Sequence, residues 1–310
     1  MLIAAGSDDD DGRRRLSAGD GVIVCTADRA GRASLLRVAF SYPLKVITPN
    51  RTFLDHVQVA WLISYGGGLV GGDRVRLEVA IDKPSTLVLL TQGSTKVFKA
   101  RTADKGYDGH TTTLQRYRAS VCPGGFLVLL PAPVTCFARA QYRQHQAVHL
   151  ADRSASLVLL DWYTSGRMDY AAGPEAWQFD EYVSDNEVWI GDTRVVKDVL
   201  SLRRNRDEGG FQQRVEPYSA YATLFLFGPA TDELRRSICE MFQRVTQYHQ
   251  PRPYSLVWSY SALDGGGAGG GGVARCAADS TEAVKEWVSE LLERGGIEDL
   301  IGRDLYKTAL

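Results

Sequence analysis

Along most of the chain, apolar residues come in short runs bounded by Gly, Pro, Asp or Asn, and rarely at helical spacing. Leu35–Phe40, Val57–Ser64, Val75–Ile81, Leu87–Leu90, Phe126–Leu130, Leu157–Leu160, Val188–Ile190 and Leu224–Phe227 have the length and the β-branched or aromatic content of strands. From Arg74 to Ile81, charged or small residues alternate with apolar ones, the period of a strand with one buried face. Gly191-Asp192, between Val188-Trp189-Ile190 and Val195-Val196, reads as a two-residue hairpin turn. Helical spacing appears late. Leu234, Ile238, Met241, Phe242 and Val245 share one face of a helix expected over about 230–248, with Thr231 placed to cap its start. Asp279 with Glu282 resembles a capping box, and Val284, Trp287, Val288, Leu291 and Leu292 form a stripe that Gly295-Gly296 ends. A shorter piece around Ile297, Leu300, Ile301 and Leu305 extends this helical region to about 280–309. Between the two, Asp264 to Gly272 is nearly all glycine and is expected to be a flexible loop, 264–272.

The expected fold class is therefore mainly β: a single large β-rich domain over 20–310, of stacked antiparallel or mixed sheets, with a few mostly C-terminal helices. No internal repeat points to a solenoid. Residues 1–19, with Asp8–Asp11 and Arg13–Arg15, read as a disordered charged arm, too polar to pack.

Composition narrows the function classes. The chain has 310 residues, 44% of them hydrophobic, enough for a sizeable core. Thirty-six basic and 37 acidic side chains give a net charge of −1, without the electrostatic footprint of a nucleic-acid binder. No run approaches the roughly 20 apolar residues of a membrane span, and the N-terminus lacks a signal core, so the expected location is cytoplasmic. Cys25, Cys122, Cys136, Cys239 and Cys276 are widely spaced without a Cys-x-x-Cys pair, which reads as buried reduced thiols rather than a disulfide framework or zinc knuckle.

The densest local signal is Gly66-Gly67-Gly68-Leu69-Val70-Gly71-Gly72-Asp73, five glycines in eight positions. Gly66, Gly68 and Gly71 satisfy dinucleotide-binding spacing, but that fingerprint needs a helix after the third glycine, and a strand comes next here. Asp73-Arg74 stands where a phosphate loop needs Lys and Ser or Thr. The run is read instead as a corner between two strands.

No catalytic constellation emerges. A Gly-x-Ser-x-Gly elbow is absent, and no Cys or His carries a local nucleophile signature. His145 and His149 have the spacing of a helical metal pair, but their segment alternates like a strand, which puts the imidazoles about 13 Å apart on a polar face. Asp161, Asp169, Glu175, Asp180, Glu181, Asp185 and Glu187 form an acidic stretch able to supply acid/base or hard-metal chemistry if they converge. Thr91-Gln92-Gly93-Ser94-Thr95-Lys96 comes directly after an apolar strand and suits either a wet pocket or an ordinary strand end.

Taken in order, the motifs resemble one family. Gly67-Gly68-Leu69-Val70-Gly71-Gly72-Asp73, then Thr91-Gln92 and Thr95-Lys96-Val97, Leu130-Pro131 with Pro133-Val134, Asp161-Trp162 leading to Ser165-Gly166-Arg167, Trp177-Gln178-Phe179 before Tyr182 and Ser184, and Arg275 before Asp279–Val284 are similar to urease accessory protein UreD, called UreH in some lineages. The family's Gly-Glu after the Gly-Arg pair is displaced here to Gly173-Pro174-Glu175, which leaves Glu175 without a carried-over role. The Arg-rich arm, the polar insert near Asp104–Gly109 and the polyglycine segment resemble additions of a eukaryotic lineage. The resemblance implies a non-enzymatic scaffold that binds apo-urease and, through a UreF-like protein, a UreG-like GTPase. It implies no tightly bound cofactor, no nucleic acid or membrane partner, and nickel in transit toward the bimetallic urease site. A conduit avoids tight thiolate or multi-imidazole ligation, so polar groups beside apolar strands are the expected transient lining: Asp73, Thr91, Gln92, Thr95 and Asp161. The competing reading is a β-rich enzyme or ligand-binding module, with a site near the Gly-rich corner and the 161–187 acidic stretch.

Overall fold

The computed structural model of the chain describes residues 16–49, 54–100, 111–168, 173–204, 211–245, 255–263, 269–303 and 305. The runs Asp8–Asp11 and Arg13–Arg15, the Asp104–Gly109 insert, Asp169 and residues 264–268 lie outside these.

Strands β1 (Asp20–Ala27) and β2 (Ala33–Phe40) form one antiparallel pair, and β3 (Leu44–Ile47) and β4 (Val57–Ser64) another. The chain then runs through β5 (Arg74–Ile81), β6 (Thr86–Thr91), the short β7 (Thr95–Val97), β8 (Thr113–Val121), β9 (Phe126–Leu130), the short β10 (Val134–Cys136), β11 (Gln141–Leu150), β12 (Ser156–Thr164) and β13 (Glu181–Ile190). Its long strands go alternately to two facing sheets. In one, β1, β5, β8, β11 and β13 pair in parallel; in the other, β4, β6, β9 and β12 do so. The path is a flattened coil, although no sequence repeat announces it. β14 (Thr193–Arg203) closes the first sheet's edge through the expected Gly191-Asp192 hairpin. β15 (Ala220–Phe227), β16 (Leu256–Leu263) and β17 (Gly271–Ala278) extend the second sheet antiparallel. The fold is mainly β, with helices α1 (Gln212–Val215), α2 (Asp232–Gln243), α3 (Thr281–Arg294) and α4 (Ile297–Ile301).

Burial explains the two kinds of strand pattern. Leu77, Leu89, Leu129, Leu159 and Phe225 fill the space between the sheets. Val88, Val128, Val158 and Leu224 point the other way, against Leu234 and Ile238 of α2 and Trp287, Val288 and Leu291 of α3. The second sheet is thus covered on both faces, so its strands read as continuous apolar runs. The first sheet has one face in solvent, so β5 alternates exposed with buried along nearly its whole length.

Local expectations shift by small steps. The α3 cap is Ser280, whose side chain accepts from the Ala283 amide, rather than Asp279 paired with Glu282. Thr231 precedes α2, but its hydroxyl donates back to the Gly228 carbonyl and caps nothing. The helix ends at Gln243, short of Val245. Gly271 and Gly272 are not loop but the first residues of β17, paired with Leu263 and Ala262. Of the expected arm, Gly19 is tied into the body, its amide donating to the Tyr42 carbonyl and its carbonyl accepting from the Arg76 amide.

Candidate functional site

The coil sorts its connections by length. Returns 82–85, 122–125 and 151–155 are tight, whereas the connections that follow β4, β6, β9 and β12 are long, and their described residues gather at the opposite end. The motifs read from the sequence lie at or next to these long connections. Leu69 bridges to Val97, β7 pairs with β10, and β10 pairs with β12, which stitches the motif segments together. The Gly-rich run is a 3-10 turn leading into β5, a strand-to-strand corner. Gly68 is required by close approach, since a Cβ there would lie 2.6 Å from the Lys96 carbonyl oxygen.

Several motif side chains serve this corner. Asp73 Oδ2 accepts from the Val70 amide at 2.9 Å. Thr91 Oγ1 accepts from the Ala132 amide at 2.7 Å and donates to the Gly93 carbonyl at 3.2 Å, joining the β6 and β9 connections. Thr91→Val, isosteric but without the hydroxyl, is therefore expected to cost about 1–2 kcal/mol in urea unfolding, with Thr91→Ser near wild type. Thr95 pairs with Val134, Pro131 accepts from the Trp162 indole, and Gln92 and Lys96 are exposed. Ser165 is buried, its amide donating to Ser219 and its carbonyl accepting from Trp177. Arg167 makes a bidentate pair with Glu175 at 2.8 and 2.6 Å, and its guanidinium lies 4.0 Å from the Phe137 ring centroid. These hydrogen bonds hold the Glu175 carboxyl below the usual range, so the displaced glutamate has a definite role as the clamp of the 165–177 connection.

Asp161 is different. It continues the inward face of Leu157 and Leu159 on β12, and its carboxylate enters the space between the sheets. Gln144 Nε2 donates to Oδ1 at 2.9 Å, while Ser184 Oγ and Asn186 Nδ2 donate to Oδ2 at 2.6 Å. Tyr142 Oη donates to Gln144, and Gln146 donates to Asn186, so the polar layer spreads over β11 and β13. Gln144, Gln146, Ser184 and Asn186 are all buried. Burial pushes the Asp161 carboxyl up, only partly offset by the bonds from Ser184, Asn186 and Gln144. Among the described residues, the buried Tyr182 hydroxyl has no hydrogen-bond partner. On the second sheet Asp161 is level with Thr223 and Arg275, and Arg275 reaches across to Asp198 on β14 at 2.9 Å, where both side chains meet solvent. Thr91 also faces inward: Leu89 and Leu159 both pair with Leu129, so Thr91 and Asp161 lie level, about 10 Å apart across two strand spacings. Asp73, Thr95 and Gln92 belong to the end connections.

On the outer face of the first sheet, His145 and His149 occupy one strand, as expected, and do not converge. Parallel pairing instead brings His145 to Asp185 and Glu187, with ligand atoms within 4.8 Å of one another. Lys197 already fills this space, its ammonium 2.6 Å from both Asp185 Oδ1 and Glu187 Oε1, so the arrangement is an ion-pair network with a resident cation. The Lys197 bond holds the Glu187 carboxyl down to about 2 against an ordinary 4.5. A depressed carboxyl stabilises the fold above its unfolded value and loses that contribution as pH falls from about 4.5 through about 2, a contribution that solvent screening of the half-exposed Lys197 keeps small. Urea midpoints across acidic pH should show this loss in the wild type and a shallower one in Glu187→Gln.

Ser184 stands among the motif residues of the family resemblance, whereas Gln144, Gln146 and Asn186 were legible only as polar residues at the buried parity of their strands. The His145–Asp185–Glu187 grouping depends on register between strands far apart in sequence and left no local signal.

Comparison with known proteins agrees with this organisation. Residues 19–307 match the family model described as UreD urease accessory protein. A Cryptococcus neoformans var. grubii protein named urease accessory protein 4 is 34% identical, over 94% of this chain and 95% of its own. Urease accessory protein UreD of Sorangium cellulosum is 36% identical over 94% of this chain and 83% of its own, and urease accessory protein D of Arabidopsis thaliana 32% over 89% and 96%. With the match running from the head of β1 through the C-terminal helices, the chain belongs to the UreD family of urease accessory proteins.

Proposed function

We propose that this chain is a non-catalytic scaffold that binds apo-urease and, with UreF-like and UreG-like partners, supports nickel delivery to the urease bimetallic site, the metal passing the polar layer at Asp161. The observation that carries this reading is a carboxylate placed between two sheets where apolar packing would be cheaper. A buried ionised group costs stability unless its charge is used or paired, and here its hydrogen-bond partners are all neutral. A passing divalent cation would supply the missing charge. The surrounding oxygen donors exchange a first-row metal readily, as transit requires, whereas thiolates or several imidazoles would retain it. The unpaired Tyr182 hydroxyl suits an interior that holds water or a hydrated ion.

Among the expected lining residues, Asp161 and Thr91 face this interior, and Asp73 and Thr95 would line its approach from the long connections, with Gln92 at the exposed rim. Purified alone, the chain should be inert. Mixed with apo-urease and the UreF-like and UreG-like proteins, then given nickel, bicarbonate and GTP, it should co-purify in a complex that yields active urease. Absence from that complex would remove the reading.

A further inference from the structure

The outer face of the first sheet carries a concentration of positive charge that the overall balance conceals. Arg74, Arg76, Arg116, Arg118 and Arg143 line an open groove of about 690 Å³ whose floor includes Leu114 and Val183. In strand register, Asp20, Arg76, Arg116, His145 and Asp185 form one row across β1, β5, β8, β11 and β13. Arg76 and Arg116 thus stand directly opposite each other, an arrangement that destabilises a sheet when nothing negative lies between them. Arg143 is matched by Glu181, Arg118 lies opposite Glu78, and Arg76 is 3.7 Å from Asp20. Among the described residues Arg74 and Arg116 make no direct ion pair, and Arg116 shares the charge of Glu78 with Arg118 at longer range.

We propose that this groove docks a short, carboxylate-rich segment of a protein partner, laid across β5, β8 and β11 with Arg74, Arg76 and Arg116 as its anchors. The spread favours a peptide over one small anion: Arg74 and Arg76 are two residues apart along β5, about 7 Å, with Arg116 level with Arg76 on β8, so the three anchors suit several carboxylates rather than one. The flanks disfavour a polynucleotide, since Asp20 closes one end of the row and Asp185 the other. Leu114 and Val183 offer an apolar patch for one side chain of the segment, and guanidinium forks match carboxylates in geometry as well as charge.

The test is fluorescence anisotropy of a labelled oligoglutamate peptide with the full chain, at low and at physiological ionic strength. Saturable binding that weakens with salt is expected, reduced about tenfold or more in Arg76→Gln/Arg116→Gln, the loss of two charge-assisted contacts. The melting temperature of that variant should stay within about 5 °C of wild type, relief of the opposed charges offsetting the lost Arg76–Asp20 pair. Arg236→Gln/Lys285→Gln, on the helices covering the other sheet, should bind like wild type. Equal binding by the Arg76/Arg116 variant, or an equal loss in the helix variant, overturns the proposal. So does tighter binding of a single-stranded RNA through the same arginines, or displacement of the peptide by equimolar inorganic phosphate. A tenfold gain on replacing Asp8, Asp9, Asp10 and Asp11 by Asn would identify the chain's own acidic run as the occupant and likewise overturn the partner reading.

Discussion

Asp161→Asn is expected to lower nickel-dependent activation of apo-urease on the order of 10–100-fold, the scale of losing one oriented metal-directed group, while the protein stays folded and enters its complex. Burial holds the Asp161 carboxyl above its ordinary 3.8. A carboxyl raised by folding stabilises below its unfolded value and loses that contribution as pH rises through the raised one, so at neutral pH the ionised group costs stability. In Asp161→Asn the amide oxygen still accepts from Ser184 and Asn186, and the amide nitrogen meets Gln144, whose own amide turns over to accept, so the melting temperature should stay within about 5 °C of wild type. Asp161→Leu is a poorer probe, because it strips the acceptor from Gln144, Ser184 and Asn186 together. Leaving those buried donors unpaired costs about 1–3 kcal/mol each and would confound folding with delivery.

The second large effect is structural. Gly166 has φ +137°, and a Cβ added there would lie 2.3 Å from the Glu175 carbonyl oxygen and 3.3 Å from that of Cys136. Both are backbone atoms held by the Arg167–Glu175 clamp and by the Phe137 stack, so neither can yield cheaply. Gly166→Ala should lose roughly 3 kcal/mol or more in urea unfolding, combining positive-φ strain with overlap. Gly173→Ala, at φ +112° with nothing within 4 Å, isolates the strain and should cost about 1–2 kcal/mol. Equal losses in the two variants would show that the close approach at Gly166 does not matter. Because the 165–180 connection joins the motif end of the coil, Gly166→Ala should also weaken complex formation, unlike Asp161→Asn.

Much of this fold could be read from local pattern. The strand runs, the Gly191-Asp192 hairpin and the α3 stripe all appear where apolar spacing and turn chemistry place them, because each is decided within a few residues. The corner at Gly66–Asp73 was legible from the strand period that begins at Arg74. What was hidden depends on long-range parallel pairing. The coil of β4 through β13 has no repeat in its sequence, because its long connections differ in length and content. Gln144 and Gln146 sit at the same parity as Tyr142, Val148 and Leu150, yet polar residues inside an apolar alternation are easily passed over as exposed. Likewise, the acidic stretch divides by parity: Asp161 turns inward to neutral partners, whereas Glu181, Asp185 and Glu187 face outward to Arg143, Lys197 and His145. Alternation along β13 predicts the outward set, whereas β12 is apolar on both faces and gives Asp161 no direction, which comes, like the register that selects the partners, only from the assembled sheets.

The most direct measurement is the nickel content of urease recovered from the assembled complex, determined by elemental analysis for wild type and Asp161→Asn at matched complex yield. Complex formation should be equal for the two, with urease nickel-poor only when assembled with the variant. Full nickel loading by Asp161→Asn would contradict passage of the metal at the polar layer between the sheets.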